Sequence, residues 1–370
     1  MNLKCLLLSS DDKTVRILRR VLGDLEISLD HCSDRDDLIR GLTRHRFEAI
    51  IVDATDTQDV VGVLRAVKAA PAHKRALAIA LVESQVGLKE GFDMGAHFVL
   101  HKPLTVERAK SSFRAVRALM KRERRAQLRI PVQIPLECYG AARYGAKTVD
   151  LGEGGMAVKF ESPTSRESVL RISFRLPGVA DKLEIWGEMA WKGSRDTAGL
   201  RFRNLSPQQR GVLRDWLGRQ LPEAETEPDD APFVCRLTDL SLAACYLTST
   251  TPFPMSTRII LSIRAAGLET RASGIVRITH PEFGMGVEFL QSSPEEQDQV
   301  RRMIETLCSS GASPEVHVEP DGLEPAPQDP TQAPAPLSDD SLVNLFHQKA
   351  HLSADDFVEE MHRQRQLQET

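Results

Sequence analysis

Arg124-Arg125-Ala126-Gln127-Leu128-Arg129 and Asp150-Leu151-Gly152-Glu153-Gly154-Gly155 are the two stretches whose reading decides the middle of this chain. The first is a basic arm. The second is an Asp/Gly-rich turn of the kind that joins two strands. Arginine forks bind phosphate oxygens and the acceptor edge of guanine in a bidentate manner. A carboxylate accepts from guanine ring and exocyclic N–H groups, and glycines let the backbone approach a ligand closely. A flexible arginine arm followed by such a turn suits a ligand with two phosphates and purine edges.

Outward from the turn, the chain reads as short strands: Val132–Cys138, Ala146–Val149, Met156–Phe160, Val169–Leu176, Leu183–Trp191 and Gly199–Phe202. Turn residues separate them, at Gly140, Gly145, Gly154-Gly155, Pro177-Gly178 and Gly193. Short strands at this spacing predict an antiparallel barrel. Ser206-Pro207 then opens a helix over Gln208–Leu221, with the serine as cap and the proline in the first turn.

This segment resembles the PilZ domains, receptors for cyclic di-GMP. Their signature of two arginines four residues apart, then Asp/Asn-x-Ser-x-x-Gly, is matched by Arg125-x-x-x-Arg129 and Asp150-x-Gly152-x-x-Gly155. Gly152 stands where the family usually has serine. The resemblance implies that Arg125 and Arg129, with Arg124 beside them, clamp phosphates and guanine edges. It also implies that Asp150 takes a guanine edge and that Gly152 and Gly155 admit the ligand. The missing hydroxyl removes a hydrogen bond of about 1 kcal/mol, which weakens binding several-fold. The alternatives are a solvated linker for the arm and a plain hairpin for the turn.

Beyond an acidic linker over 222–232 the pattern recurs. Asp239-Leu240-Ser241 echoes Asp150-Leu151-Gly152. Gly274 echoes Gly187, Gly286 echoes Gly199 and Ser293-Pro294 echoes Ser206-Pro207, all at one offset of 87 residues. A constant offset predicts a second barrel of the same kind over 233–311. Ala244 replaces its last glycine and no arginine arm precedes it. The second copy therefore reads as a degenerate PilZ-like domain, structural or partner-binding.

Residues 1–121 alternate strand and helix signals, which predicts a doubly wound parallel α/β sheet. Asp11 and Asp12 follow the first strand, Asp53 ends the third, and Lys102 ends the fifth before Pro103. Clustered carboxylates hold Mg²⁺ through oxygen, and a lysine opposite neutralises a phosphoryl group on the central aspartate. With Gly95-Ala96-His97-Phe98-Val99-Leu100-His101-Lys102-Pro103, the segment resembles CheY-like receivers. The resemblance implies Asp53 as phosphoacceptor, Lys102 as switch residue, Asp11, Asp12 and Asp53 around Mg²⁺, and a histidine kinase as phosphodonor. Three departures stand out. Ser10 and Asp11 fall at the acidic pair, Val82 or Glu83 falls at the switch hydroxyl with Ser84 one place late, and Val99 falls at the switch aromatic. The competing reading is a receiver-shaped docking or dimerisation module without the switch.

Residues 312–337 are rich in Pro, Asp, Glu and Ala and predict a disordered linker. The last stretch, 338–370, predicts a helical tail with Leu342, Val343, Leu345 and Phe346 on one face, either a docking element or weakly folded. A net charge of -4 argues against bulk nucleic-acid binding. No helix-turn-helix follows the receiver, so DNA is not expected as a partner. No stretch reaches membrane-span length, and a cytoplasmic location is expected. The six cysteines lack a C-x-x-C pair and read as buried apolar residues. No catalytic constellation, P-loop or metalloprotease motif is present. The expectation is a bacterial, non-enzymatic adaptor that binds cyclic di-GMP and relays it to a protein partner, as monomer or homodimer. The alternative is a ligand-independent scaffold.

Overall fold

The computed structural model describes residues 3–368 except 56, 58, 71–72, 74, 84–90, 93, 141, 162–167, 194–195, 221–230, 292–293, 312, 325–339 and 350–351. Most of the acidic linker, Ser84, Ser293 and the run from 325 to 339 lie outside the described residues. The chain packs as two units, Met1–Glu123 with Asp230–Thr370, and Arg124–Asp229.

In the first unit, β1 (Leu3–Leu8), β2 (Ile27–Cys32), β3 (Ala49–Asp53), β4 (Leu77–Glu83) and β5 (Phe98–Lys102) form a parallel sheet in the order β2-β1-β3-β4-β5. That is the doubly wound order of flavodoxin- and CheY-like folds. Alternation sends Leu3, Cys5 and Leu7 to one face, against α1 (Asp12–Asp24) and α4 (Val106–Ala126). Leu6 and Leu8 go to the other face, against α2 (Arg35–Arg44) and α3 (Val60–Ala69). Helices on both faces explain why every residue of β3 is buried.

The same unit contains a closed six-stranded barrel. Its strands are β13 (Phe233–Leu240), β14 (Ala244–Thr248), β15 (Thr257–Ala265), β16 (Leu268–His280), β17 (Gly284–Phe289) and β18 (Glu315–Leu323), in the order β13-β14-β17-β16-β15-β18. β18 corrects the boundary expected at 311/312, because nine residues with the composition of a disordered linker close the barrel. Val316 and Val318 alternate inward and are fully buried, so the strand has the apolar face that a pairing site between β13 and β15 demands.

The receiver-like sheet and this barrel are not independent modules. One continuous apolar cluster joins Phe113, Val116 and Leu119 of α4 with Leu247, Phe253, Leu261 and Val287 of the barrel. Polar contacts frame it. Arg108 donates from Nε and Nη2 to the two carboxylate oxygens of Glu282 at 2.6 and 2.8 Å. Arg122 reaches Asp321 at 3.2 Å, and Glu123 accepts the Leu323 N–H at 2.6 Å. Lys121, Arg122 and Glu123 are buried. The residues just before the arm are therefore not solvated, because Arg122 and Glu123 seat β18.

The second unit is a barrel of β7 (Pro135–Tyr139), β8 (Arg143–Gly152), β9 (Gly155–Phe160), β10 (Val169–Arg175), β11 (Lys182–Lys192) and β12 (Thr197–Arg203). The β8–β9 pairing closes it. β6 (Arg129–Pro131) extends the β8 edge past the end of β7. α5 (Pro207–Gln220) packs Leu213, Trp216 and Leu217 on its core. The two barrels share one strand order, with β18 standing in the place of β7. The structural repeat is thus circularly permuted, and the constant offset of 87 holds from β11 and β16 onward.

Five cysteines are buried as expected, whereas Cys308, on α6 (Pro294–Ser310), is exposed. Among the described residues no helix is long and apolar enough to cross a membrane.

Candidate nucleotide site

The arm is ordered. α4 runs unbroken through Arg124 and Arg125 to Ala126, turns back through Gln127 and Leu128, and enters β6 at Arg129. β6 pairs Arg129 with Gly152 and Pro131 with Asp150. Arg129 Nε donates to Asp150 Oδ1 at 2.8 Å, and the same oxygen accepts the Ala157 N–H at 3.0 Å. The sequence places these residues twenty-one positions apart, and the β6–β8 pairing brings them together.

Cross-strand partners project from the same face of a sheet, so the registers define two adjacent rows. The first is Trp191–Gly199–Ala157–Asp150. The second is Arg201–Gly155–Gly152–Arg129. Small residues form the middle of both rows, bounded by Trp191 and Arg201 on one side and by Asp150 and Arg129 on the other. Trp191 is 50% exposed, and its indole lies where a Cβ on Gly199 would sit. A flat floor with an indole, two guanidinium groups and a carboxylate at its edges can hold a planar, anionic base–phosphate ligand. Trp191 and Arg201 are additions to the expected set. Their signal was an aromatic facing a glycine across a hairpin, which needs the strand register to be seen.

The glycines have different reasons. A Cβ on Gly155 would meet the Leu200 carbonyl oxygen, so packing of β9 against β12 requires it. A Cβ on Gly152 would stand 2.9 Å from the Leu128 carbonyl oxygen and 3.3 Å from Arg129 Cγ. Glycine in place of serine lets the arm lie close over the turn.

In the receiver-like sheet, Asp53 is fully buried. It accepts from Ser9 Oγ at 2.8 Å, Thr55 Oγ1 at 2.7 Å and Lys102 Nζ at 3.0 Å. Lys102 also lies 3.0 Å from Asp11. The Thr14 hydroxyl, and after it Lys102, hold the Asp11 carboxyl well below the usual carboxylate range. The metal set expected at Asp11, Asp12 and Asp53 is not assembled. Asp12 is exposed on the first residue of α1, and no group of three His, Cys, Asp or Glu that could hold a metal occurs among the described residues. The residues do not fit Mg²⁺, because the Lys102 ammonium occupies the space between Asp11 and Asp53. Ser9, buried at the end of β1, is the partner that sequence spacing missed.

Residues 123–219 match the PilZ domain family. No curated protein matches the chain. Chemotaxis response regulator CheY4 of Vibrio cholerae is 19% identical, with a TM-score of 0.30, over 31% of this chain and 99% of its own. The PilZ domain of CeSA from a cellulose synthesizing bacterium is 26% identical, with a TM-score of 0.22, over 26% of this chain and all of its own. The Bacillus subtilis inhibitor of motility MotI/DgrA is 16% identical, with a TM-score of 0.23, over 25% of this chain and 48% of its own. The segment that matches the PilZ domain family, residues 123–219, follows in the chain a module with the strand order of CheY-like receivers.

Proposed function

We propose that the first barrel binds cyclic di-GMP and that the chain is a non-catalytic adaptor that passes this signal to a protein partner. The observation that carries the reading is the Arg129–Asp150 pair at the edge of the small-residue floor. Two groups of the right chemistry for a phosphate and a guanine edge are held ready by each other. On binding, Arg129 exchanges the carboxylate for a phosphate oxygen, and Asp150 is released to accept guanine N–H groups. Trp191 offers a face for base stacking, and Arg124 and Arg125 in the last turn of α4 add cationic forks. Because the arm continues α4 without a break, its movement is the route by which the ligand acts on the rest of the chain.

The receiver-like module serves in this reading as a docking platform rather than a phosphorylation switch. Asp53 already has hydroxyl and ammonium partners, and α4 is committed to β18 and the second barrel. Calorimetry of the full chain with cyclic di-GMP tests the adaptor. Saturable binding that Arg125→Ala or Arg129→Ala removes is expected, and no heat at tens of micromolar ligand would leave the ligand-independent scaffold.

A further inference from the structure

The second barrel repeats the floor geometry but with different residues on it. Its first row is Ile278–Gly286–Tyr246–Asp239, where the first barrel has Trp191–Gly199–Ala157–Asp150. In its second row Glu288 pairs with Ala244, where the first has Arg201 opposite Gly155. The cation has become an anion. Ser241, the retained signature serine, is engaged by the turn itself, accepting the Ala244 N–H at 3.0 Å. Glu288 is paired with Arg277 at 2.6 Å, and the surface is apolar where the first floor is small and open.

It is also covered. α7 (Ser341–Gln348) and α8 (Ala354–Gln368) form one buried cluster with Ala244, Tyr246 and Ile278 through Leu342, Val343, Leu345, Phe346, Phe357 and Met361. Phe346 seats on Gly286, where a Cβ would come 2.6 Å from its ring. The Phe357 ring lies 5.4 Å from Tyr246 and 4.9 Å from His280. Asp340, the N-cap of α7, also accepts the Ala243 N–H of the signature turn at 3.2 Å. A carboxylate and an aromatic ring thus sit on the turn and floor that correspond to those of the first barrel.

We propose that the second barrel is a helix-binding module whose ligand is this chain's own C-terminal helix pair, seated on the rows that correspond to the nucleotide floor of the first barrel. The change from glycine to Ala244 then has a cause. The methyl that obstructs a nucleotide is part of the apolar seat for α7. Recognition rests on an acidic N-cap at the turn and an aromatic knob over Gly286. A helix with that pattern competes for the same seat. The assignment stands on contacts within the second barrel and does not depend on nucleotide binding by the first.

The test uses the full chain. Hydrogen exchange of the wild-type protein should show the amides of α7, α8 and β14 protected. Phe346→Asp should lower protection in all three together, while β1 and the first barrel stay unchanged. A labelled peptide of residues 338–370 should bind the Phe346→Asp/Phe357→Asp chain saturably and the wild-type chain at least tenfold more weakly. Free exchange of the tail amides in the wild-type protein overturns the proposal. So does equal peptide binding to both chains, or absence of binding to either. Tail protection that rises with protein concentration would assign the seat to the tail of a second copy and overturn occupation within one chain.

Discussion

Arg129 Nε and Asp150 Oδ1 stand 2.8 Å apart because a three-residue strand lays the end of the arm along the edge of β8. Both side chains are partly exposed, and such pairs contribute about 0.2–1 kcal/mol to stability. Arg129→Ala should therefore leave the melting temperature nearly unchanged. A charge-assisted hydrogen bond to phosphate is worth about 1.5–3 kcal/mol, so the same variant should bind cyclic di-GMP roughly 10- to 150-fold more weakly. Calorimetry beside thermal melting separates the two effects. A parallel loss of stability would assign Arg129 a structural role.

Trp191 is exposed over Gly199 at the edge of the floor. Base stacking on an aromatic side chain is worth about 1–3 kcal/mol by alanine substitution. Trp191→Ala should lose that much affinity and the ligand-induced change in fluorescence, whereas Trp186→Ala, which is not in either row, should lose neither. Unchanged affinity in the Trp191 variant would remove the indole from the site.

Gly155 and Ala244 occupy corresponding turns, yet exchange should not be symmetric. The Cβ in Gly155→Ala meets a backbone carbonyl, and overpacking of this kind costs about 1–3 kcal/mol. Ala244→Gly removes one buried methyl, about 0.8 kcal/mol by area, and should loosen the C-terminal helices. Urea midpoints for the two variants give the comparison.

His280 is 2% exposed and its Nδ1 lies 2.8 Å from the Tyr246 hydroxyl. Burial beside Tyr246 and Phe357 pushes its pKa down to about 4, while an unfolded histidine titrates near about 6.5. Between these values the unfolded chain takes up a proton that the folded chain refuses. Stability is complete above the unfolded value and is lost as pH falls from about 6.5 towards about 4, by on the order of 3 kcal/mol. His280→Phe should flatten this part of a stability–pH curve measured by denaturant. A wild-type curve that does not fall in that window would contradict the assignment.

Asp53 is buried against Lys102 and Ser9. Removing one partner of a buried ion pair costs about 3–5 kcal/mol, so Asp53→Ala should unfold the first unit earlier in denaturant. A small phosphodonor with Mg²⁺ should add no mass to the wild-type protein. An adduct that disappears in Asp53→Asn would restore the phosphorylation switch.

Much of this molecule is decided locally. Ala49-Ile-Ile-Val52 is apolar on both faces and can only be an interior strand. Asp11 caps α1 through its own first turn. The glycines of the Asp150–Gly155 turn mark a tight hairpin. The recurrence of Gly187 and Gly199 at Gly274 and Gly286 predicts a second barrel. These are statements about residues and their near neighbours, where hydrogen-bond geometry and side-chain alternation act over a few positions.

Only the tertiary structure decided which strand closes that second barrel, because β18 is polar, contains Pro320 and becomes a strand through partners more than fifty residues away in β15 and β13. The burial of Arg122 and Glu123 follows from the same closure, since Asp321 and Leu323 are their partners. The two rows of the candidate site depend on register between strands, which no single segment encodes. The seating of Phe346 on Gly286 joins a terminal helix to a strand that composition separates by a Pro-rich stretch. The sequence by itself determined the locally patterned elements and the chemistry of the arm and turn, and long-range pairing determined β18 and what each element faces.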